Sequence, residues 1–144
     1  PHPALGYAFR LRIQKRLRSL VQDLILTEEP DRIDFVCHSQ GTVITLNVLA
    51  SKAAYWGRAR QLTLVTMGSP WRHLYHRYFG HAFADLTAPP DGVDRWTNIF
   101  RVDDFIGTHV RATSPDERPV GLGGHTNYWR DAQVREILQD RLDC

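Results

Sequence analysis

"DFVCHSQGTVI", residues 34–44, is the stretch on which the fold turns. Asp34 to Cys37 form the end of a short apolar run, the pattern of a buried strand. The chain then turns through His38, Ser39, Gln40 and Gly41 and enters Thr42-Val43-Ile44, compatible with the start of a helix. A strand that feeds a helix across a tight corner is a unit of a parallel sheet with helices on its faces. Ser39 stands at the corner.

Working outward, residues 7–26 place Phe9, Ile13, Leu17, Leu20, Val21 and Leu24 three or four apart, one face of a helix. Arg10, Arg12, Lys15, Arg16 and Arg18 fill the other faces. Phe9, Ile13 and Leu17 are expected to lie against the sheet, with a solvated basic face outside. Contact of that face with an anionic membrane is the alternative. Pro30 ends the helix, and "RIDFVCHS" is the first strand. Residues 40–56 read as a helix with Val43, Leu46, Asn47 and Ala50 toward the core. "RQLTLVTMGSP" is a second strand ending in Gly68-Ser69-Pro70, and "RWTNIFRVDD" is a third. A glycine-rich loop, "VGLGGH", leads to a closing helix, "NYWRDAQVREILQDRL". Strands alternating with helices give an α/β fold with a mainly parallel sheet.

The bulk properties narrow the function. With 144 residues, the chain suits one domain, 1–144, with residues 71–92 as a candidate cap. Hydrophobic residues make up 42% and charged residues 24%, as in ordinary globular proteins. A formal charge of +2 without a basic, aromatic-studded stripe argues against nucleic acid as a partner. Two cysteines, Cys37 and Cys144, provide neither a disulfide framework nor a C-x-x-C metal pair. No apolar run reaches the length of a bilayer span and no signal-peptide core opens the chain. The expected setting is the cytoplasm, with peripheral membrane contact as the variant noted above.

A serine hydroxyl attacks a carbonyl only when a base takes its proton and donors hold the oxyanion. The strand–turn–helix corner supplies exposure, and the N–H of Gln40 at the helix start is one oxyanion donor. Gly41 provides the small residue two after the serine, while Cys37 replaces the small residue two before it. Ser39 as a mere helix N-cap is the competing reading. If Ser39 is a nucleophile, an acid and then a histidine should follow in later loops. "NIFRVDDFIGTHV" offers Asp103 and Asp104 after the third strand, and "GLGGHTNYW" offers His125 between glycines and a helix.

"VCHSQGTVI", "TLVTMGSPWRHLY", "NIFRVDDFIG" and "GGHTNYWRD" together resemble the serine lipases and esterases of the α/β-hydrolase superfamily, in particular bacterial lipase-like hydrolases with class 3 lipase features. The resemblance covers residues 33–134. It implies a Ser39–Asp104–His125 triad, because "DFIG" matches the family's D-x-[IV]-[PG] stretch at Asp104 and His125 shortly precedes Tyr128-Trp129. It implies hydrolysis of carboxylic esters of a lipid-like kind, small-molecule substrates with acyl chains, without cofactor or metal. Two departures accompany it. Cys37 replaces the first glycine of the elbow, and the early loop that carries the family's second oxyanion donor has no counterpart before the first strand. The chain therefore reads as the C-terminal portion of a longer hydrolase, with a small sheet whose first edge needs cover. A hydrolase-like acyl-binding or scaffolding module without turnover is the alternative function.

Around the triad, His38 could line the substrate pocket or pack beneath the elbow. Trp71 and Leu74, in an aromatic segment with Tyr75, Tyr78 and Phe79, could accept an acyl chain or complete the core. Ser69 in "MGSP" belongs to a strand-ending turn. His73, His76 and His81 lack a convincing fourth ligand for zinc.

Overall fold

The computed structural model describes residues 3–51, 61–111, 114 and 116–142, with side chains from Phe9 onward. Its centre is a four-stranded, all-parallel sheet in the order β1-β2-β3-β4. The strands are β1 (Arg32–His38), β2 (Gln61–Met67), β3 (Arg95–Arg101) and β4 (Glu117–Val120). Strand β4 is an addition to the three strands expected. "ERPV" is short, charged at two positions and interrupted by Pro119, which hides it from a periodicity reading but suits an edge strand.

Alternation along the strands divides the core into two layers. Ile33, Leu62, Leu64 and Trp96 face one side, where α1 (Pro3–Glu28) and α2 (Gln40–Ala50) supply Val21, Ile25, Val43, Leu46 and Leu49. Val65, Met67 and Ile99 face the other side, where α4 (Ala132–Leu142) supplies Val134 and Tyr128 packs just before it. Each fully buried aliphatic or aromatic side chain contributes about 1.5–3 kcal/mol, and the site is built on the strand ends that this packing fixes.

Helix α1 lies on its neighbours by a different stripe from the one expected. Val21 and Ile25 are buried and Leu17 packs against them, a row spaced by four. Phe9, Leu20 and Leu24 are 58%, 64% and 40% exposed, and Ile13 is also exposed, so they do not meet the sheet. Leu20 and Leu24 precede the buried pair by one residue, which turns them about 100° around the helix. The expected helix over 40–56 is seen as Gln40–Ala50, and its remainder from 52 onward lies outside the described residues.

Between β2 and β3, a π-helical turn (Trp71–His76) runs into the short α3 (Arg77–Phe79). The expected closing helix divides at Asp131 into a 3₁₀ turn (Tyr128–Arg130) and α4. Asp131 Oδ1 accepts hydrogen bonds from Gln133 N (2.8 Å) and Val134 N (3.3 Å), satisfying donors that every helix start leaves open. Among the described residues no helix is long and apolar enough to cross a membrane.

Candidate functional site

In a parallel sheet every strand delivers its following loop to the same edge, which gathers residues far apart in sequence. Here Ser39 follows β1, Gly68 follows β2, Asp104 lies in the loop after β3 and His125 in the loop after β4.

The corner at Ser39 is strained. Its φ of 53° and ψ of −125° lie in a region that residues with a Cβ rarely occupy, at a cost of about 1–3 kcal/mol. The surroundings hold it there. Ser39 N donates to Met67 O (3.0 Å), continuing the β1–β2 ladder. Ser39 O accepts from Thr42 N (3.0 Å) and from Thr42 Oγ1 (2.7 Å), which ties the corner to the first turn of α2. The Ser39 side chain makes no capping bond to that helix, so its hydroxyl is left for other work. Gln40, the first residue of α2, has an N–H to which helix geometry assigns no intrahelical acceptor.

That hydroxyl meets His125, with Ser39 Oγ 2.7 Å from His125 Nε2. On its other side, His125 Nδ1 lies 3.0 and 2.9 Å from the two oxygens of Asp104. The network assigns the tautomer: Nδ1–H donates to the carboxylate and Nε2 accepts the serine proton. Asp104 is 2% exposed and richly hydrogen-bonded. Its Oδ1 accepts from Ile106 N (3.0 Å) and Gly107 N (2.9 Å), and its Oδ2 accepts from Tyr128 Oη–H (2.9 Å). Burial pushes the carboxyl's pKa up, but the Gly107 N–H, His125, the Ile106 N–H and Tyr128 together outweigh it and hold the group below the ordinary aspartate value. Burial, reinforced by Asp104, holds the Tyr128 phenol well above its usual range, so it remains a donor.

Asp103 turns the other way. Its Oδ2 accepts from Gly123 N and Gly124 N, both 2.9 Å, and anchors the loop that carries His125. Its pKa is lowered chiefly by the Gly123 N–H. His38 also serves this loop, with its Nε2 2.7 Å from His125 O. Burial lowers the pKa of His38, so it is a neutral Nε2–H donor to that carbonyl. The His38 ring is half-buried and lies 4.9 Å from that of His125.

Four residues of the site carried no signal in the strand–turn–helix pattern. Tyr128 was noted only as a neighbour of His125 in the family motif, yet it is fully buried on Asp104. Arg101 stacks on the Tyr128 ring (4.9 Å), donates to Gly121 O (2.7 Å) and pairs with Asp131 (2.6 Å). Gly68, at φ 55°, leaves room where a Cβ would come within 2.9 Å of Tyr128, 3.1 Å of Asp104 and 3.3 Å of His125. Gly107 lets the Asp104 loop lie directly on Gly68, whose backbone an added Cβ would meet at 2.2 Å. The absence of a side chain at Gly68 and Gly107 is what allows these loops to close, and a turn reading of "MGSP" or "DFIG" hints at it.

The elbow's two small-residue positions behave differently from expectation. A Cβ on Gly41 would meet no atom within 4 Å, so close approach of strand and helix does not depend on it. Cys37 faces α2, and its Sγ lies 3.2 Å from Thr45 Oγ1. Burial raises the thiol's pKa, which keeps it protonated and unreactive. Ser69 is buried, bonded to Thr42 Oγ1 (2.9 Å), and belongs to the scaffold.

Of the two places open to Trp71, its contacts are those of the core: it is 3% exposed, stacks edge-on against Phe83 at 5.4 Å and donates Nε1–H to Ala84 O (3.0 Å). Its large apolar ring, at the start of the turn after β2, is drawn into the layer beneath α2. Leu74 is half-buried on the same turn. The neighbouring Tyr75 does reach the site's rim, where its hydroxyl exchanges hydrogen bonds with both side-chain atoms of Gln40 (2.6 and 2.9 Å). His76 Nδ1 bonds Phe83 O, and among the described residues no group of three His, Cys, Asp or Glu is arranged to hold a metal ion.

Comparison of the chain with protein-family models, with curated proteins and with solved structures returns no match.

Proposed function

We propose that the protein is a serine hydrolase of carboxylic esters, with Ser39 as nucleophile, His125 as general base and acid, and Asp104 as the group that orients the imidazole. One observation carries the reading: a serine on a strained strand–helix corner, 2.7 Å from a histidine Nε2 whose Nδ1 is held by a buried carboxylate. An N-cap serine needs neither the strain nor the histidine. The wider likeness to a partial α/β-hydrolase fold belongs to the same proposal.

In the proposed reaction, His125 Nε2 takes the Ser39 proton as Oγ attacks the ester carbonyl. The negative charge moves to the carbonyl oxygen, for which the Gln40 N–H is the donor at the start of α2. Collapse of that tetrahedral species breaks the bond to the leaving alkoxide, which receives the proton from His125. Water then repeats the sequence on the acyl-Ser39 ester and releases the acid. Asp104 stays ionised throughout and stabilises the imidazolium.

Turnover of p-nitrophenyl butyrate tests the proposal. The wild-type chain is expected to release p-nitrophenol, with a fall of about 10³-fold or more in Ser39→Ala and in His125→Asn. Release that is unchanged in Ser39→Ala would contradict it.

A further inference from the structure

We propose that a groove between α1 and residues 75–83 selects the substrate by taking an amphiphile with an anionic end. The statement that this amphiphile is an ester rests on the Ser39 reading; the choice of an anion rests on the groove's own residues.

The groove has a volume of about 530 Å³, within the range of small-ligand sites. Its wall is aromatic. Tyr75 and Phe83 meet edge-on at 4.8 Å, and Phe79 stands 6.4 Å from Tyr75 while remaining 52% exposed. Two arginines, Arg10 and Arg18, stand among its polar groups, beside the neutral Gln14, Asn47 and Ser51. The Arg10 guanidinium carbon lies 5.3 Å from the centre of the Tyr75 ring and 6.0 Å from that of Phe83, within cation–π range. Arg18 donates from Nη2 to Ser51 Oγ (2.8 Å), and its Nε is buried with no acceptor among the described residues. Among the described residues no carboxylate lines the groove and none pairs with either arginine.

Planar guanidinium groups with donors to spare recognise carboxylates and phosphates, and an aromatic wall accepts an alkyl chain. Position links the groove to the candidate nucleophile. Tyr75 lines it and also clasps Gln40, the residue after Ser39, whereas Ser51 lines it just past the end of α2. The eleven residues of α2 cover about 16 Å, a length suited to a medium-chain alkyl group. One end of such a ligand would lie near Ser39 and the other within reach of arginine.

Calorimetric titration of Ser39→Ala with decanoate, decyl phosphate and decanol, each below its micellar concentration, tests the groove without calling on turnover. The expected result is that at least one anion binds about tenfold or more tightly than decanol, a difference that charge-assisted bonds readily supply. Arg10→Gln with Arg18→Gln should abolish that advantage and leave decanol unaffected, and the better-bound anion identifies the head group as carboxylate or phosphate. Equal binding of all three ligands, no binding of any, or an anion preference retained in the double variant would overturn the proposal. Ala82→Trp, at an exposed position lining the groove, is the second variant; it should weaken the preferred anion about tenfold, and unchanged binding counts against the groove. Fluorophosphonate labelling of the wild-type chain reads Ser39 separately. A labelled protein without anion preference sinks the groove alone, and an unlabelled protein with that preference sinks the hydrolase reading alone.

Discussion

At the scale of single residues, the site depends on four groups that bond the Asp104 carboxylate (Ile106 N–H, Gly107 N–H, His125 and Tyr128) and on Gly68 and Gly107, which let the loops close. Tyr128 donates to Asp104 from a fully buried position, so Tyr128→Phe leaves the packing and removes one bond to a charged acceptor. On the proposed mechanism kcat should fall about tenfold, equivalent to about 1.4 kcal/mol, with KM unchanged, as steady-state kinetics on p-nitrophenyl butyrate would show. Gly68 and Gly124 both have positive φ, but only Gly68 has neighbours close to an added Cβ. Gly68→Ala should therefore cost more than Gly124→Ala, which carries only the backbone penalty of about 1–2 kcal/mol, and thermal melts of the two variants measure the difference. The convergence of Ser39, Asp104 and His125 was legible because a serine at a strand–helix corner, an acid and a histidine occur in order in separate loops. Tyr128 and Gly68 were not, since their roles arise from contacts across loops that residue type alone does not announce. The two places open to Trp71 were not separable in the sequence for a related reason: an aromatic next to a site is as readily core as surface, and only the structure shows it buried edge-on against Phe83.

At the scale of elements, Asp131 joins the start of α4 to the loop that carries His125. One oxygen caps the helix, and the other pairs with Arg101, which is 2% exposed and stacked on Tyr128. Asp131→Ala removes the cap and leaves a buried guanidinium without its anion, with an expected loss of about 3–5 kcal/mol in urea unfolding. A loss under about 1 kcal/mol, the size of a cap alone, would show that Arg101 finds another partner. The boundary at Asp131 escaped the periodicity because "NYWRDAQV" has no break in polarity, only a good capping residue in its middle. The β1, β2 and β3 readings succeeded because their apolar runs are long enough to stand out from the turns. In α1, packing keeps only Leu17 and Val21 of the six apolar positions read from the sequence and adds Ile25, which that reading did not include.

At the scale of the whole molecule, one sheet edge gathers the loops after four parallel strands, and three carboxyls with lowered pKa, those of Asp103, Asp104 and Asp131, tie that edge together. For Asp131 burial again raises the pKa, and the N–H groups of Val134 and Gln133 with Arg101 bring it below the ordinary value. A lowered folded-state pKa gives stability that is fully present above the unfolded value of about 3.9 and is lost as pH falls through the folded one. Urea midpoints should therefore be flat from about pH 7 to about pH 5 in respect of these groups and fall below about pH 4, with a shallower fall in Asp104→Asn. The α/β class and parallel sheet were legible from the alternation of strands and helices, whereas β4 was not, because four residues with a proline carry too little pattern. Strand β1, which leads to Ser39, forms one edge of the sheet among the described residues and bears the Arg32–Asp34 ion pair (2.8 Å), a charged edge of the kind that resists further pairing. The central claim is that Ser39 is an activated nucleophile, and covalent labelling with a fluorophosphonate, followed by mass mapping of the modified peptide, tests it most directly. The account predicts one phosphonate per chain on Ser39, none on Ser69, and labelling slowed by at least about 10²-fold in His125→Asn; a folded chain that stays unlabelled, or is labelled equally fast without His125, would contradict it.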